Sequence, residues 1–338
     1  MVRTRSVKMI FALLALLLMS APGAMAQDRL SIATGGTGGV YYPYGGSLAS
    51  VLSDSVEGSE FTAEVTSASV DNMYLIDSGD ADLAFVLSDT AYDASQGNAP
   101  FEAPVNANTL VTLYDNYTQI VVNADSGIET IADLAGKRVS VGAPGSGTEI
   151  IALRVLEAAG LNPDEDIDRE QLGVAESAQA MKDGNVDAFF WSGGLPTAAI
   201  TDLSVTPNMT IKLLPSAEVH DALVESYGEY YTLGTIPAGT YDGQDEDVEV
   251  VTVPNVLVVN ADMDEELAYN IVKAMFENKE TLAAGHPEAR KLSLETAYCS
   301  QALPYHPGAI RYLEEQGVAE GTCEAGGGEA SPVASPAG

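Results

Sequence analysis

The chain of 338 residues carries 49 Asp and Glu against 15 Lys and Arg, a net charge of −34. Such an excess of acid excludes nucleic acid and anionic membrane surfaces as partners, because both would repel it. Hydrophobic residues make up 46% of the chain and recur at regular periods, which excludes disorder as the reason for the charge.

Met1 to Ala26 opens with Arg3, Arg5 and Lys8, continues as an apolar run from Met9 to Met19 and closes on Ala24-Met25-Ala26, a small-x-small cleavage site. This is the pattern of a secretory signal peptide, and the run falls short of the roughly 18 apolar residues that a membrane span needs. No later stretch could span a bilayer, and no Cys follows the cleavage site to carry a lipid anchor. The chain is therefore expected in the periplasm. Three cations leave with the leader, so 12 basic and 49 acidic residues remain, a net charge of −37. An acidic surface of this kind fits a marine or halophilic bacterium, where screening over about 8 Å or less relieves self-repulsion.

Leu30 and Ile32 mark a short strand that runs into Gly35-Gly36-Thr37-Gly38-Gly39 and then into a helix near Tyr41-Tyr42-Pro43. Glycines let the backbone take positive φ and lie close to a ligand, and a helix N-terminus adds about half a positive charge. The result is an anion cradle of backbone N–H groups that needs no Arg or Lys. A single such loop is more often an ordinary tight turn; its recurrence further on gives it weight.

Phe61, Ala63 and Val65 alternate as a strand, and Ser67-Ala68-Ser69 caps a helix with Val70, Met73 and Tyr74 inward and Gly79 at its end. Leu83 to Leu87 reads as a buried parallel strand, followed by Ser88-Asp89. Ser69, Asn72 and Ser88 thus stand at element ends beside the first cradle, as caps or as ligand contacts. Asn98 to Asn108 is a surface loop. Thr109 to Tyr114 and Thr118 to Asn123 read as two strands separated by Asp115-Asn116-Tyr117, with a crossing between lobes near Tyr117.

The device then repeats: Val139-Ser140-Val141 leads through Gly142-Ala143-Pro144-Gly145-Ser146-Gly147-Thr148 into a helix from Glu149 to Ala159. Downstream, Gly79-Asp80-Ala81-Asp82-Leu83-Ala84-Phe85 is echoed by Gly184-Asn185-Val186-Asp187-Ala188-Phe189-Phe190. Gly36 and Gly145 lie 109 residues apart, and Gly79 and Gly184 lie 105 apart. Two similar α/β lobes follow, each with a glycine loop at the carboxyl end of its first strand, where open α/β sheets bind ligands. Trp191-Ser192-Gly193-Gly194 follows the strand Val186 to Phe190, and Trp191 is either a cleft wall or a core residue under the loop. The acidic clusters Asp164 to Asp168 and Asp242 to Asp247 lack the alternating ligands of a calcium loop and read as solvated turns.

Val248 to Val253 and Val256 to Asn260, bent at Pro254, suit a second crossing back to the first lobe, and a helix from Glu265 to Asn278 packs there through Leu267, Ile271, Val272, Met275 and Phe276. Cys299 and Cys323 are the only cysteines, and in an exported chain they are expected to form a disulfide. The expected plan is a signal peptide over 1–26, one lobe from 27–117 and 256–322, a second lobe over 118–255, and a disordered tail over 323–338. Nothing carries catalysis. His220, His286 and His306 occur singly, the Gly-x-Ser-x-Gly elbow fails at Ser146 because Pro144 stands at its first glycine, and no phosphate-loop Lys follows either cradle. The expectation is a binding protein with no catalytic residue, metal or cofactor.

Four segments, Thr34 to Pro43, Gly142 to Thr148, Ile236-Pro237-Ala238-Gly239-Thr240-Tyr241 and Pro304-Tyr305-His306-Pro307-Gly308-Ala309-Ile310-Arg311-Tyr312, resemble those of the TAXI solute-binding proteins, the extracytoplasmic receptors of one branch of the TRAP transporters. The resemblance runs from about Leu30 to Gly317. It implies a two-lobed, type II-like periplasmic-binding fold with two crossing strands, no enzymatic activity, and a monomer that delivers a small carboxylate such as glutamate or 2-oxoglutarate to a TRAP permease. One departure is Asp115-Asn116, which stands where a Pro-acidic pair is expected, so hinge-side contacts stay open. The expected site joins Gly36, Thr37, Gly38, Gly39, Tyr42, Ser69, Asn72 and Ser88 of one lobe to Ser146, Gly147, Thr148, Trp191, Ser192 and Gly193 of the other. Asp71 or Asp89 would be needed to meet an ammonium group. A receptor of the ABC-transporter type would share this fold, and a periplasmic enzyme on it would need one of those acids in the cleft.

Overall fold

The computed structural model describes residues 28–300 and 302–319. The expected signal peptide, Cys323 with its expected disulfide, and the expected disordered tail lie outside these. Among the described residues, ten strands form one mixed sheet in the order β2-β1-β3-β10-β4-β7-β5-β6, with β8 paired to β4 and β9 to β10. The parallel strands β1 (Asp28–Ala33), β2 (Ser59–Glu64) and β3 (Leu83–Leu87) build one lobe. In the other, β5 (Arg138–Ser140) runs parallel to both β6 (Asp168–Glu170) and β7 (Ala188–Gly193). Between them lie two long antiparallel strands, β4 (Ala107–Asn123) and β10 (Val248–Asn260), which run through both lobes. The short strands β8 (Ile211–Leu214) and β9 (Thr232–Ile236) complete the second lobe.

Strand residues alternate between two apolar layers, as the two-residue period of a sheet buried on both faces requires. In β3, Leu83 and Phe85 join one core and Ala84 and Val86 another. In β7, Ala188 and Phe190 face one layer and Phe189 the other. The helices that cover these layers are α1 (Tyr41–Ser55), α2 (Ser69–Ser78), α3 (Ser88–Gln96), α4 (Gly147–Ala158), α5 (Val174–Lys182), α6 (Ala198–Ser204), α7 (His220–Tyr227), α8 (Glu265–Glu277), α9 (Lys279–Gly285) and α10 (Pro307–Glu315).

Several local expectations are corrected. Asp115-Asn116-Tyr117 does not interrupt a strand: β4 is continuous over 17 residues because β10 pairs with it on both sides of the polar triplet. Likewise Pro254 bends β10 without ending it, and the register shifts between Pro254 and Val256. Val65 lies past the end of β2 and Tyr74 turns outward, each more than two-fifths exposed. The inward face of α2 is completed by Asn72 and Ile76 instead. Trp191, Ser192 and Gly193 belong to β7 itself.

The family-like segment around Tyr305 and His306 fixes the C-terminal helix. His306 caps α10 by accepting from the Gly308 N–H at 3.2 Å, its Nε2 lies 3.0 Å from the Met263 carbonyl, and Gly308 packs where a Cβ would come 2.2 Å from the Glu265 carbonyl. Behind the hinge, Arg154 of α4 reaches across the lobes to Asp89 (3.4 Å) and Asp93 (2.5 Å) of α3. Tyr231 donates to Asp89 at 2.8 Å, and Tyr227 lies under the guanidinium at 4.2 Å. Burial raises the Asp89 carboxyl, and Arg154 opposes that rise.

Candidate binding cleft

A cavity of about 310 Å³ lies between the lobes at the carboxyl ends of β1, β3, β5 and β7. Both glycine loops line it, with Gly36 to Gly39 on one side and Ser146 to Thr148 on the other. The starts of four helices converge there. Gly39 to Tyr41 lead into α1, Ala68 and Ser69 into α2, Ser146 to Thr148 into α4, and Gly173 to Glu176 into α5. First-turn N–H groups have no acceptor inside their own helix, and each start adds partial positive charge. Among the described residues, the lining holds no Arg, Lys or His, and Glu176 is its one carboxylate.

The lobes touch around this cavity, and glycines make the approach close. A Cβ on Gly147 would lie 2.5 Å from Leu87 Cδ1 and 2.7 Å from Ser69 Oγ of the opposite lobe. One on Gly39 would lie 2.8 Å from the Trp191 ring. The N–H groups of Val70 and Asp71 at the start of α2 both donate to the Gly145 carbonyl at 3.1 Å. Ala68 just before them sits at φ 80°, ψ −143°, a conformation that L-residues rarely adopt, and strain of this kind collects at binding sites.

Part of each cradle is consumed internally. Gly39 N–H donates to the Gly36 carbonyl at 3.1 Å, Ser146 N–H to Ala143 at 3.1 Å, and Gly145 N–H to Glu149 at 2.9 Å. Ser146 Oγ caps α4 by accepting from Glu149 N–H at 3.1 Å. Gly147 and Thr148, the first two residues of α4, line the cavity, and their N–H groups have no acceptor within the helix, whereas the Ser146 N–H is spent inside its own loop.

The hinge strands add a buried polar chain. Tyr41 OH donates to Asn255 Oδ1, Asn255 Nδ2 donates to Asn116 Oδ1 at 2.8 Å and to the Tyr114 carbonyl at 2.9 Å, and Asn116 Nδ2 donates to the Ser192 carbonyl at 3.2 Å. This links α1 to β7 through both crossing strands. Thr148 Oγ1 accepts from Ser192 N–H at 3.2 Å, which ties the α4 start to the same strand. Tyr114 and Ser192 line the cavity as residues, but their hydroxyl oxygens are buried away from it and have no hydrogen-bond partner among the described residues. Burial pushes the Tyr114 phenol well above its usual value, with Tyr41, Glu288 and Tyr44 adding to the rise, so it stays protonated and able to donate.

Trp191 is a wall of the cavity and is held from behind. Its Nε1 donates to Thr197 Oγ1 at 2.9 Å, and Thr197 N–H donates to Tyr241 OH at 3.0 Å. Tyr241 donates in turn to Gln119 Oε1 at 2.6 Å, and burial pushes its phenol up to about 12. Tyr241, in the family-like segment from Ile236, thus positions the ring without reaching the cavity.

Most of the expected site residues meet here: Gly36, Thr37, Gly38, Gly39, Ser69, Ser146, Gly147, Thr148, Trp191, Ser192 and Gly193 all line the cavity. Three do not. Tyr42 is 37% exposed on the outside of α1 while its neighbour Tyr41 faces in. Asn72 is fully buried and spends its amide on the Thr34 and Phe85 carbonyls at 2.8 Å, which joins α2 to β1 and β3. Ser88 opens onto a second groove at the back of the hinge. Asp71 is turned to the Ser67 N–H at 3.2 Å and Asp89 is sealed against Arg154, so neither lines the cavity. Sequence reasoning missed Tyr41, Tyr114, Asn116 and the α5 start with Glu176.

The fold has solved counterparts. The binding protein component of an ABC phosphonate transporter from Pseudomonas aeruginosa matches at a TM-score of 0.54, with 10% identity over 78% of this chain and 79% of that one. PhnD1 from Prochlorococcus marinus, in complex with methylphosphonate, matches at 0.53, with 10% identity over 78% and 90%. The periplasmic aliphatic sulphonate binding protein SsuA from Escherichia coli shares 17% identity over 86% and 80%, at 0.48. Identities this low establish the two-lobed binding-protein fold and no more. At the level of sequence, the model of the NMT1-like family matches residues 32–317, nearly all that is described here, and the chain belongs to that family.

Proposed function

We propose that this chain is a periplasmic solute-binding protein, not an enzyme, which closes its two lobes around a small organic anion and delivers it to a membrane transporter. The observation that carries this is the convergence of helix starts on an interlobe cavity whose described lining has no cationic side chain. Such a lining suits a delocalised carboxylate held by N–H groups better than a bare dianionic phosphate. Among the described residues the lining holds no nucleophile with a base beside it: Ser146 Oγ caps α4, Ser69 Oγ accepts from Leu87 N–H at 3.1 Å, Thr148 Oγ1 accepts from Ser192 N–H at 3.2 Å, and Glu176 is the single carboxylate.

Two partner readings rest on different observations. The names of the structural counterparts support an ABC-type importer, while the four sequence segments support an ion-coupled TRAP permease as implied by resemblance to the TAXI proteins. Uptake into vesicles separates them, since ATP drives one and an ion gradient the other. The binding reading is tested by a thermal-shift screen of organic acids on ligand-stripped protein, followed by native mass spectrometry. One carboxylate that binds with one-to-one stoichiometry and is recovered unchanged is the expected result. Turnover of the bound acid, or no binding by any carboxylate, would overturn it.

A further inference from the structure

We infer that the preferred ligand is a carboxylate carrying a ring-sized apolar body, and not a short dicarboxylate or acidic amino acid. This narrows the solute-binding reading above and rests on it. Size is the first ground. At about 30 Å³ per water, 310 Å³ is room for about ten waters, and it lies in the range of about 300–1,000 Å³ that encloses larger organic molecules. A C4 or C5 diacid displaces less of that water than a ring acid does and leaves more of it against apolar walls.

The walls are the second ground. Tyr41, Tyr114 and Trp191 face the cavity together with Val40, Leu87 and Val174. Trp191 Nε1 is committed to Thr197 and Tyr41 OH to Asn255, so these two rings offer carbon to a ligand and not polar groups. Aromatic surfaces so placed favour another ring by offset or edge contact.

Charge is the third ground. One carboxylate is served by the N–H groups at the starts of α4 and α5, which both line the cavity. A second carboxylate would find no cation in the lining and would meet the negative charge of Glu176. An ammonium group on the ring acid would meet Glu176 favourably, so the two kinds of ring acid are separate arms of the test.

The test is calorimetry on ligand-stripped full-length protein with phenylacetate, phenylpyruvate and L-phenylalanine set against succinate, glutarate, 2-oxoglutarate and L-glutamate. At least one ring acid should bind about ten-fold or more tightly than every short acid. Trp191→Leu should weaken the ring acids by about ten-fold and Trp191→Phe much less, and a thermal melt of each variant checks that it folds. If L-phenylalanine is the tightest, Glu176→Gln should remove its advantage over phenylacetate. A short diacid or glutamate bound as tightly as any ring acid would overturn the inference and leave the solute-binding reading standing. Failure of all seven acids would overturn the inference, and the broader organic-acid screen would decide the solute-binding reading.

Discussion

Asp82 and Asp187 hold the same place in the two lobes. Asp82 accepts from Ser31 N–H at 2.7 Å while its own N–H donates to the Ser31 carbonyl at 3.1 Å, so it grips β1 in both directions. Asp187 does the same to Arg138 of β5, at 2.9 and 2.8 Å. Three residues before each, Gly79 and Gly184 turn left-handed (φ 75° and 70°) where α2 and α5 end. The Gly-x-x-Asp echo in the sequence is therefore the joint that returns each lobe from helix to sheet and holds the strand feeding its glycine loop.

Asp187 also takes the Arg138 side chain, at 3.1 Å from Nε and 2.6 Å from Nη2, and this hydrogen bonding holds its carboxyl below the ordinary value of 3.8. A depressed carboxylate adds stability that is present above the unfolded-state value and is lost as pH falls through the folded one. Asp187→Asn should cost about 0.5–1 kcal/mol at pH 7, a figure kept small because both side chains are partly solvated. Urea melts should show the gap between variant and wild type closing as pH falls below about 4. A gap that is unchanged at pH 3 would show that the ion pair is not its source.

Gly147→Ala should separate closure from folding. Gly147 has helical φ, so Ala improves helix propensity by up to about 1 kcal/mol, yet its Cβ would strike Leu87 and Ser69 of the other lobe. Thermal stability without ligand is expected to hold or rise, while ligand affinity falls about ten-fold or more. Loss of stability with intact affinity would mean that the lobes close differently.

Both glycine loops and the doubled plan are legible in the sequence because glycine clusters and apolar runs are local signals. The residues that escape notice depend on tertiary context. Helical spacing alone does not say whether Tyr41 or Tyr42 faces the ligand; the α1 packing against Phe85 and Tyr114 decides it. Asn72 has the composition of a contact residue, but the carbonyls of Ala33 and Thr34 at the end of β1 and of Phe85 within β3 take its amide. Asn116 looks like a break in a strand because a polar residue in an apolar run signals a turn, and only the pairing of β10 alongside keeps it extended. The start of α5 carries no glycine cluster and no capping side chain, so its part in the cavity leaves no trace in the chain.

Arg154→Met should destabilise the protein by about 3–5 kcal/mol at pH 7, because it leaves Asp89 and Asp93 without their cation in a buried setting. Adding Asp89→Asn should recover part of that loss. A single variant within about 1 kcal/mol of wild type in urea melts would show that the interlobe ion cluster is nearly neutral.

The acidic surface gives a further expectation. With a net charge of −34, the melting temperature should rise as salt goes from low to seawater levels, since screening relieves like-charge repulsion. A flat or falling midpoint over that range would remove the case for a saline habitat.

Trp191 is the only tryptophan of the chain and stands in the cavity wall, so its emission reports on this site and no other. The decisive measurement is a titration of ligand-stripped protein with a carboxylate that calorimetry shows to bind, followed by Trp191 fluorescence. A saturable change with the same dissociation constant as calorimetry is the predicted result. Binding seen by calorimetry with no change in Trp191 emission would place the ligand elsewhere and contradict an interlobe anion site.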